Sequence, residues 1–184
     1  ASKTVASRNK RRDADFEFGT NPCSEIILRP FQFCNLSEVV VREGDTEEDL
    51  LDKVEAATIL GTMQSTLTNF KYLRRQWKDT TEKERLLGVS LTGIMDHKIL
   101  SGNIHNTAVL IQLLKSMKQK AIDVNKMWAK RFGINQATAI TCVKPSGTVS
   151  QLVNAASGIH ARHNDYYIRR VRGDKKDPLT QFLQ

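Results

Sequence analysis

The stretch from Thr107 to Gly158 constrains the fold most strongly. Its first part, "TAVLIQLLKSMKQKAIDVNKMWAKRFG" (107–133), repeats apolar residues at helical spacing: Leu110, Leu113, Leu114, Met117, Ala121, Val124, Trp128 and Phe132. Gly133 stands where such a helix would stop. Its second part, "ATAITCVKPSGTVSQLVNAASG" (137–158), passes from an apolar β-like run through a small-residue loop into a short helical pattern. Helix, strand, loop and helix in that order predict an α/β fold. Upstream, "EIILRPFQF" (25–33) and "NLSEVVV" (35–41) read as extended segments, with Pro30 imposing a bend or an edge between them. Thr46 is placed to cap a helix whose first turn carries Glu47, Glu48 and Asp49, with Leu50, Leu51, Val54, Ala57 and Leu60 as its apolar stripe. The segment 82–100 reads as a second helical region loosened by Gly88 and Gly93, so a helical region is expected over about 47–133. There is no internal repeat and no low-complexity segment.

The 184 residues, 40% hydrophobic and 26% charged, suffice for one domain with its own core. No apolar run approaches the roughly 20 residues that span a bilayer, and the first residues lack the apolar stretch of a signal peptide. A cytoplasmic location is expected. The chain begins at Ala1 rather than Met and reads as a piece of something longer. Three cysteines, Cys23, Cys34 and Cys142, form neither a disulfide framework nor a CxxC metal ribbon. The net charge of +8 is concentrated in "RNKRR" (8–12) and "IRRVRGDKK" (168–176). Such ends suit a solvated face or a positive field around an anionic small molecule. Without a zinc finger, an aromatic RNA-binding signature or a heptad-bearing basic region, direct nucleic-acid binding is the weaker reading.

Two stretches carry chemistry. In "KPSGTVSQL" (144–152), Ser146, Gly147, Thr148 and Ser150 place hydroxyls and backbone N–H groups where a helix begins, which suits a phosphate but equally a plain helix cap. Cys142 just before it reads as a small core residue. In "NPCSEI" (21–26), a cysteine lies between an amide and a carboxylate: Asn21 can donate and accept hydrogen bonds and Glu25 can act as a general base. If extended, Asn21, Cys23 and Glu25 would share one side of the chain. His160 and His163 lack a completing ligand cluster and read as surface or pocket histidines; Tyr166 and Tyr167 read as packing or a pocket wall; Arg162, Arg169 and Arg170 read as solvated charge or as contacts to an anion.

"NPCSEI" (21–26), "CNLSEV" (34–39) and "CVKPSGTVSQLVNAASGIHARH" (142–163), in this order, resemble the catalytic subunit of ribonucleotide reductases. The proline of "NPC" and the "KPSGT" loop resemble the adenosylcobalamin-dependent class more than the di-iron class. The resemblance implies that residues 1–184 form part of a ten-stranded α/β barrel, with a central finger loop at about 19–36 and a phosphate-binding loop and helix at about 142–158. Cys23 would become a transient thiyl radical that abstracts the 3′ hydrogen of a ribonucleotide. Glu25 would take the 3′-hydroxyl proton, Asn21 would orient the ribose, and Cys34 would be one member of the reducing cysteine pair. Pro145, Ser146, Gly147, Thr148 and Ser150 would hold the substrate phosphates. Adenosylcobalamin is implied as cofactor, bound mainly outside this chain, with no metal site of its own here. The implied partners are the ribonucleotide, the remaining segments of the reductase and a thioredoxin-like reductant, and no membrane. The partner thiol of Cys34 lies upstream in the family, so the chain alone is expected not to turn over. A di-iron-class segment, or a basic nucleic-acid-binding module with a structural cysteine, stands as the alternative.

Overall fold

A computed structural model describes residues 12–103, 106–168 and 170–183. The basic run at 8–11 and Arg169 lie outside the described residues. The element order is β1 (Gly19–Thr20), β2 (Ile27–Leu28), β3 (Asn35–Val40), α1 (Glu47–Gln64), α2 (Arg75–Glu84), β4 (Leu87–Thr92), a 3-10 turn (Ile94–Asp96), α3 (Thr107–Phe132), α4 (Thr148–Leu152) and α5 (Pro178–Leu183). Helices alternate with parallel strands, as the α/β expectation requires.

Strands β3 and β4 pair in parallel from Asn35↔Leu87 to Val40↔Thr92. A parallel pair needs a long crossover, and α1 and α2 provide it. The segment 137–142 runs along the other side of β4: Leu87 N–H donates to the Ala139 carbonyl, Val89 N–H to that of Ile140, and Cys142 N–H to that of Val89, with a parallel bridge at Val89↔Thr141. Helices α1 and α3 cover this layer, and Val39, Val41, Leu50, Val54, Leu87, Val89, Leu113, Met117, Ala121 and Ile140 form a single core.

The α1 cap is as expected: Thr46 accepts from Asp49 N–H while the Asp49 carboxylate accepts from Thr46 N–H. Gly133 closes α3 in the left-handed conformation at φ 64°. Asn125 ties the layers together, donating to the Thr62 hydroxyl on α1 and accepting from Ala137 N–H.

Three expectations change. The segment 82–100 is not a helix: α2 ends at Glu84 and Leu87–Thr92 is the buried strand β4. Its sequence, LGVSLT, alternates Leu87, Val89 and Leu91 with Gly88, Ser90 and Thr92, a strand period that the helical reading passed over. The apolar stripes are narrower than the spacing suggested, for Leu60, Leu114 and Phe132 are exposed. Finally, 25–33 is mostly not strand: only Ile27–Leu28 pairs, antiparallel to Gly19–Thr20, before the chain turns at Phe31 with φ 57°.

Candidate active site

The short hairpin β1–β2 presents the "NPC" turn. Ser24 N–H donates to the Asn21 carbonyl at 2.9 Å, closing a tight turn with Pro22 and Cys23 at its centre. Proline supplies the fixed φ that the second position of such a turn prefers. Asn21 completes the loop, its side-chain oxygen accepting from Ile26 N–H at 3.0 Å. Ser24 is held at φ 62°, a left-handed conformation that a side-chain-bearing residue adopts only under constraint. Asn21, Cys23 and Glu25 therefore do not lie along one side of an extended strand. They occupy one turn, with Cys23 exposed at its tip while the Glu25 side chain, 4% exposed, points inward.

The base of the hairpin is held by a buried ionic cluster. Glu84, at the end of α2, pairs with Arg12 at 2.7 Å and with Arg29 at 3.0 Å, each of these side chains being at most 4% exposed. Gln32 donates to the same carboxylate at 2.7 Å and accepts from Arg29 N–H at 2.8 Å; Arg12 also donates to the Ile27 carbonyl at 2.7 Å. Arg12 is thus a buried structural cation and not part of a solvated basic end. Sequence reasoning missed this cluster, since its members lie up to 72 residues apart and share no local pattern.

Four ionisable groups meet behind the turn: Glu25, Cys34, Cys142 and Lys144. Lys144 Nζ stands 3.8 Å from Glu25 Oε1, and neither oxygen of the buried carboxylate has a hydrogen-bond partner. Burial pushes the Cys34 thiol above its usual range and the negative Glu25 adds to this, against the opposing pull of Lys144. Burial pushes the Cys142 thiol up to about 11, with Glu25 and Cys34 adding to it and Lys144 again opposing. Cys142 is therefore a half-buried thiol beside other titratable groups, not an isolated core residue. Its sulfur occupies space that opens because residue 88 is glycine: a β-carbon there would lie 3.1 Å from Cys142 Sγ and 2.4 Å from Leu36 Cδ2.

The 142–158 segment forms a loop and a one-turn helix, as expected. Ser150 is fully buried and its hydroxyl donates to the carbonyls of Ser146 at 3.1 Å and Gly147 at 2.7 Å, so it shapes the loop internally. Ser157 Oγ also donates to the Ser146 carbonyl. The Ser146 hydroxyl is buried without a partner, while Pro145, Gly147 and Thr148 are exposed. Thr92, at the end of β4, fastens the far side of the loop: its hydroxyl donates to the Ala156 carbonyl and accepts from Gly158 N–H, both at 3.0 Å. Arg162 clamps the same region through both oxygens of Asp96, at 2.9 and 3.1 Å, and so is not a free solvated charge. A cleft of about 780 Å³ opens beside it, with Asn154, His163, Tyr166 and Tyr167 in its wall. Among the described residues, no three or more His, Cys, Asp or Glu side chains gather as a metal ion would need, and no helix is long and apolar enough to cross a membrane.

No family model matches the chain. It is 30% identical to the adenosylcobalamin-dependent ribonucleoside-triphosphate reductase of Lactobacillus acidophilus, over 94% of this chain and 26% of that protein. The protein of the same name from Lactobacillus helveticus is also 30% identical, over 94% and 26%, and that of Lacticaseibacillus paracasei is 29% identical, over 98% and 27%. Among solved structures, the chain is similar to a B12-dependent (class II) ribonucleotide reductase, with a TM-score of 0.65 and 25% identity over 80% of this chain and 23% of that one. The chain spans about a quarter of the length of the relatives it matches.

Proposed function

Since the chain belongs with the adenosylcobalamin-dependent ribonucleotide reductases over the quarter of their length that it matches, we propose that it carries the substrate-activating cysteine and the phosphate loop of such an enzyme. It would act as part of a ten-stranded α/β barrel whose finger loop is the 19–36 hairpin. The relatives are named for adenosylcobalamin, which favours the cobalamin class over the di-iron one. Nothing in the buried pairing of Arg12 favours a nucleic-acid surface.

The observation that carries the proposal is the division of roles on the "NPC" turn: an exposed thiol at the tip and, two residues on, a buried carboxylate with both oxygens free to accept. Adenosylcobalamin, when bound, supplies the radical that oxidises a thiol, and the exposed Cys23 is the thiol of this chain fitted to receive it. The Cys23 thiyl radical takes the 3′ hydrogen of the ribose. Glu25 accepts the 3′-hydroxyl proton, the C2′ hydroxyl leaves as water with a proton from the reducing thiol pair, and Cys23 finally returns the hydrogen to C3′. Cys34 and a second thiol from the rest of the reductase become a disulfide, so that two electrons reach the sugar and a thioredoxin-like reductant restores the pair. The exposed residues Gly147 and Thr148 offer backbone N–H groups to the phosphates, with the unpartnered Ser146 hydroxyl beside them, while Pro145, which has no N–H, fixes the course of the loop. Asn21 and Ser150 hold the turn and the loop in shape, since their hydrogen bonds are made internally. The ribonucleotide substrate, the cytoplasmic location and the remaining segments are parts of this same proposal.

The test is deoxynucleotide formation by the chain assembled with the remaining segments of an adenosylcobalamin-type reductase. Cys23→Ser should abolish turnover while leaving assembly intact. Turnover that survives Cys23→Ser in the assembled enzyme overturns the assignment.

A further inference from the structure

Strand β3 has two faces, and its neighbours identify them. A β-carbon at Gly61 on α1 would lie 3.5 Å from Ser37 Oγ, and Val39 belongs to the core beneath the helices. Leu36 and Glu38 alternate with these residues and so face the other way. On β4 that second face is continued by Gly88, Ser90 and Thr92, which pair in register with Leu36, Glu38 and Val40. The hairpin packs on it at the Leu36 end, where a β-carbon at Gly88 would lie 2.4 Å from Leu36 Cδ2 and 3.4 Å from Ile26 Cδ1. The phosphate loop is fastened at the Thr92 end, through the Ala156 carbonyl and Gly158 N–H. Glu38 stands between the two. It is half-buried, and its Oε1 is buried with no hydrogen-bond partner among the described residues. The hydroxyl of Ser90, its cross-strand partner, donates instead to the Ser37 carbonyl at 3.4 Å.

A buried acceptor without a donor is costly unless a ligand supplies one. A ribonucleotide laid with its sugar at the "NPC" turn and its phosphates on the 146–148 loop would pass over Glu38. The O–H donors of its sugar are the 2′- and 3′-hydroxyls, and in the reaction proposed above the 3′-hydroxyl belongs to Glu25. We propose that Glu38 is a further substrate-contacting residue of this site, whose Oε1 accepts the hydrogen bond of the ribose 2′-hydroxyl. The inference rests on the reading of the chain as a segment of a ribonucleotide reductase. It gives Glu38 a task that Glu25 does not have. The 2′-hydroxyl is the group that the reaction removes, so the acceptor is paired by substrate and left unpaired by product. A site built to hydrogen-bond a hydroxyl rejects the analogue that lacks it, because its own buried group is then stranded. Glu38 thus favours the ribonucleotide over the deoxyribonucleotide and speeds the exchange of product for substrate.

The test is a ratio of two affinities. In the assembled reductase without adenosylcobalamin, where nothing turns over, a radiolabelled ribonucleoside triphosphate is displaced either by the same unlabelled nucleotide or by its 2′-deoxy counterpart, so that only the substrate's own site is read. The unchanged protein should prefer the ribonucleotide by about tenfold or more. Glu38→Ala should bring the ratio close to unity by weakening the ribonucleotide and sparing the deoxyribonucleotide. Glu38→Gln, whose amide oxygen still accepts, should keep part of the preference. Ser37→Ala, on the helix face of the same strand, should leave the ratio where it was. Both affinities come from one preparation, so their ratio does not depend on the fraction folded, and Glu38→Gln preserves the shape of the side chain should Glu38→Ala disturb the strand. A ratio that Glu38→Ala and Glu38→Gln leave unmoved overturns the contact. Equal weakening of both nucleotides also overturns it, because Oε1 would then be meeting a group of the protein. An unmoved ratio beside a Cys23→Ser variant without turnover removes the role of Glu38 and leaves ribonucleotide reduction standing, whereas absence of displaceable ribonucleotide removes both.

Discussion

Two regions of the molecule are built on different terms. The β3–β4 layer with α1 and α3 is regular, and several of its polar side chains are tied locally: the Thr58 and Thr62 hydroxyls return to carbonyls one turn back and Asn125 bridges α1 to Ala137, although Ser37 Oγ and Glu38 Oε1 on β3 and Trp128 Nε1 on α3 are buried without partners among the described residues. The region made by the 19–34 hairpin and the 142–158 loop differs in adding backbone strain and a cluster of ionisable groups to its unpartnered atoms. It holds Ser24 and Phe31 at positive φ, leaves Glu25 and Ser146 oxygens buried without partners, and gathers two thiols around an ion pair. Strain and unmet polar groups persist only where surrounding structure over-determines them. The lesson is that the site is held from outside, by the Glu84 cluster beneath the hairpin and by Thr92 and Asp96 beneath the loop.

If that division is right, the largest effect comes from Cys23 and falls on chemistry alone. Cys23→Ser should remove turnover entirely yet shift unfolding free energy by no more than about 0.5 kcal/mol, because the side chain is exposed. A large loss of stability in urea titration would mean the turn tip supports the fold, and the contrast between the regions would collapse.

Glu84 should show the converse. Replacing it by Gln leaves Arg12 and Arg29 buried without their counter-charge, and breaking such a pair costs roughly 3–5 kcal/mol. Urea unfolding measures the loss. Activity per folded molecule should also fall, since the hairpin loses its anchor; unimpaired specific activity would show that the finger is positioned by something else.

Gly88 lies on the seam between the regions. A methyl group there would meet Leu36 Cδ2 at 2.4 Å and Cys142 Sγ at 3.1 Å. Leu36 can yield at its tip, so Gly88→Ala should cost about 1–3 kcal/mol rather than unfold the protein. Because the displaced groups border the thiol cluster, the alkylation rate of Cys142 should change along with stability. A stability change with unaltered thiol reactivity would place Gly88 wholly in the framework.

What could be read from the sequence follows the same division. The Thr46 cap, the Gly133 stop and the extended Asn35–Val40 were legible because each depends on residues close in the chain. Strand β4 was misread although Leu87, Val89 and Leu91 alternate with Gly88, Ser90 and Thr92, because the run is short and was read together with its flanks as one loosened helix. At the site, motif order pointed to Cys23, Glu25, Cys34 and the loop, but not to how they are held. Asn21, placed beside the thiol by the motif, spends its side-chain oxygen on Ile26 N–H. Lys144 gave no signal beyond standing before Pro145, and the pairing of Glu84 with Arg12 spans 72 residues. Long-range charge contacts leave no local mark.

The smallest effect tests the outer support of the loop. Burial pushes the Asp96 carboxyl up, but the bond from Arg162, the Ala156 N–H and the positive charges of Arg162 and Arg42 outweigh it and hold the group below its ordinary value of 3.8. A depressed carboxyl contributes stability in full above its unfolded pKa of about 3.9, and that contribution is lost as pH falls through the still lower folded value. Arg162 is 49% exposed, so solvent screens the pair despite its two-point geometry. Arg162→Ala should therefore cost only a few tenths of a kcal/mol to about 1 kcal/mol at pH 7, and the difference from the unchanged protein should narrow in urea titrations toward pH 3 and below. A cost at pH 7 approaching that of Glu84→Gln would mean that the loop is anchored as deeply as the hairpin. A difference that does not shrink in acid would mean that Arg162 works through its bonds to Asn154, at 3.0 Å from the carbonyl and 3.1 Å from the side-chain oxygen, rather than through Asp96.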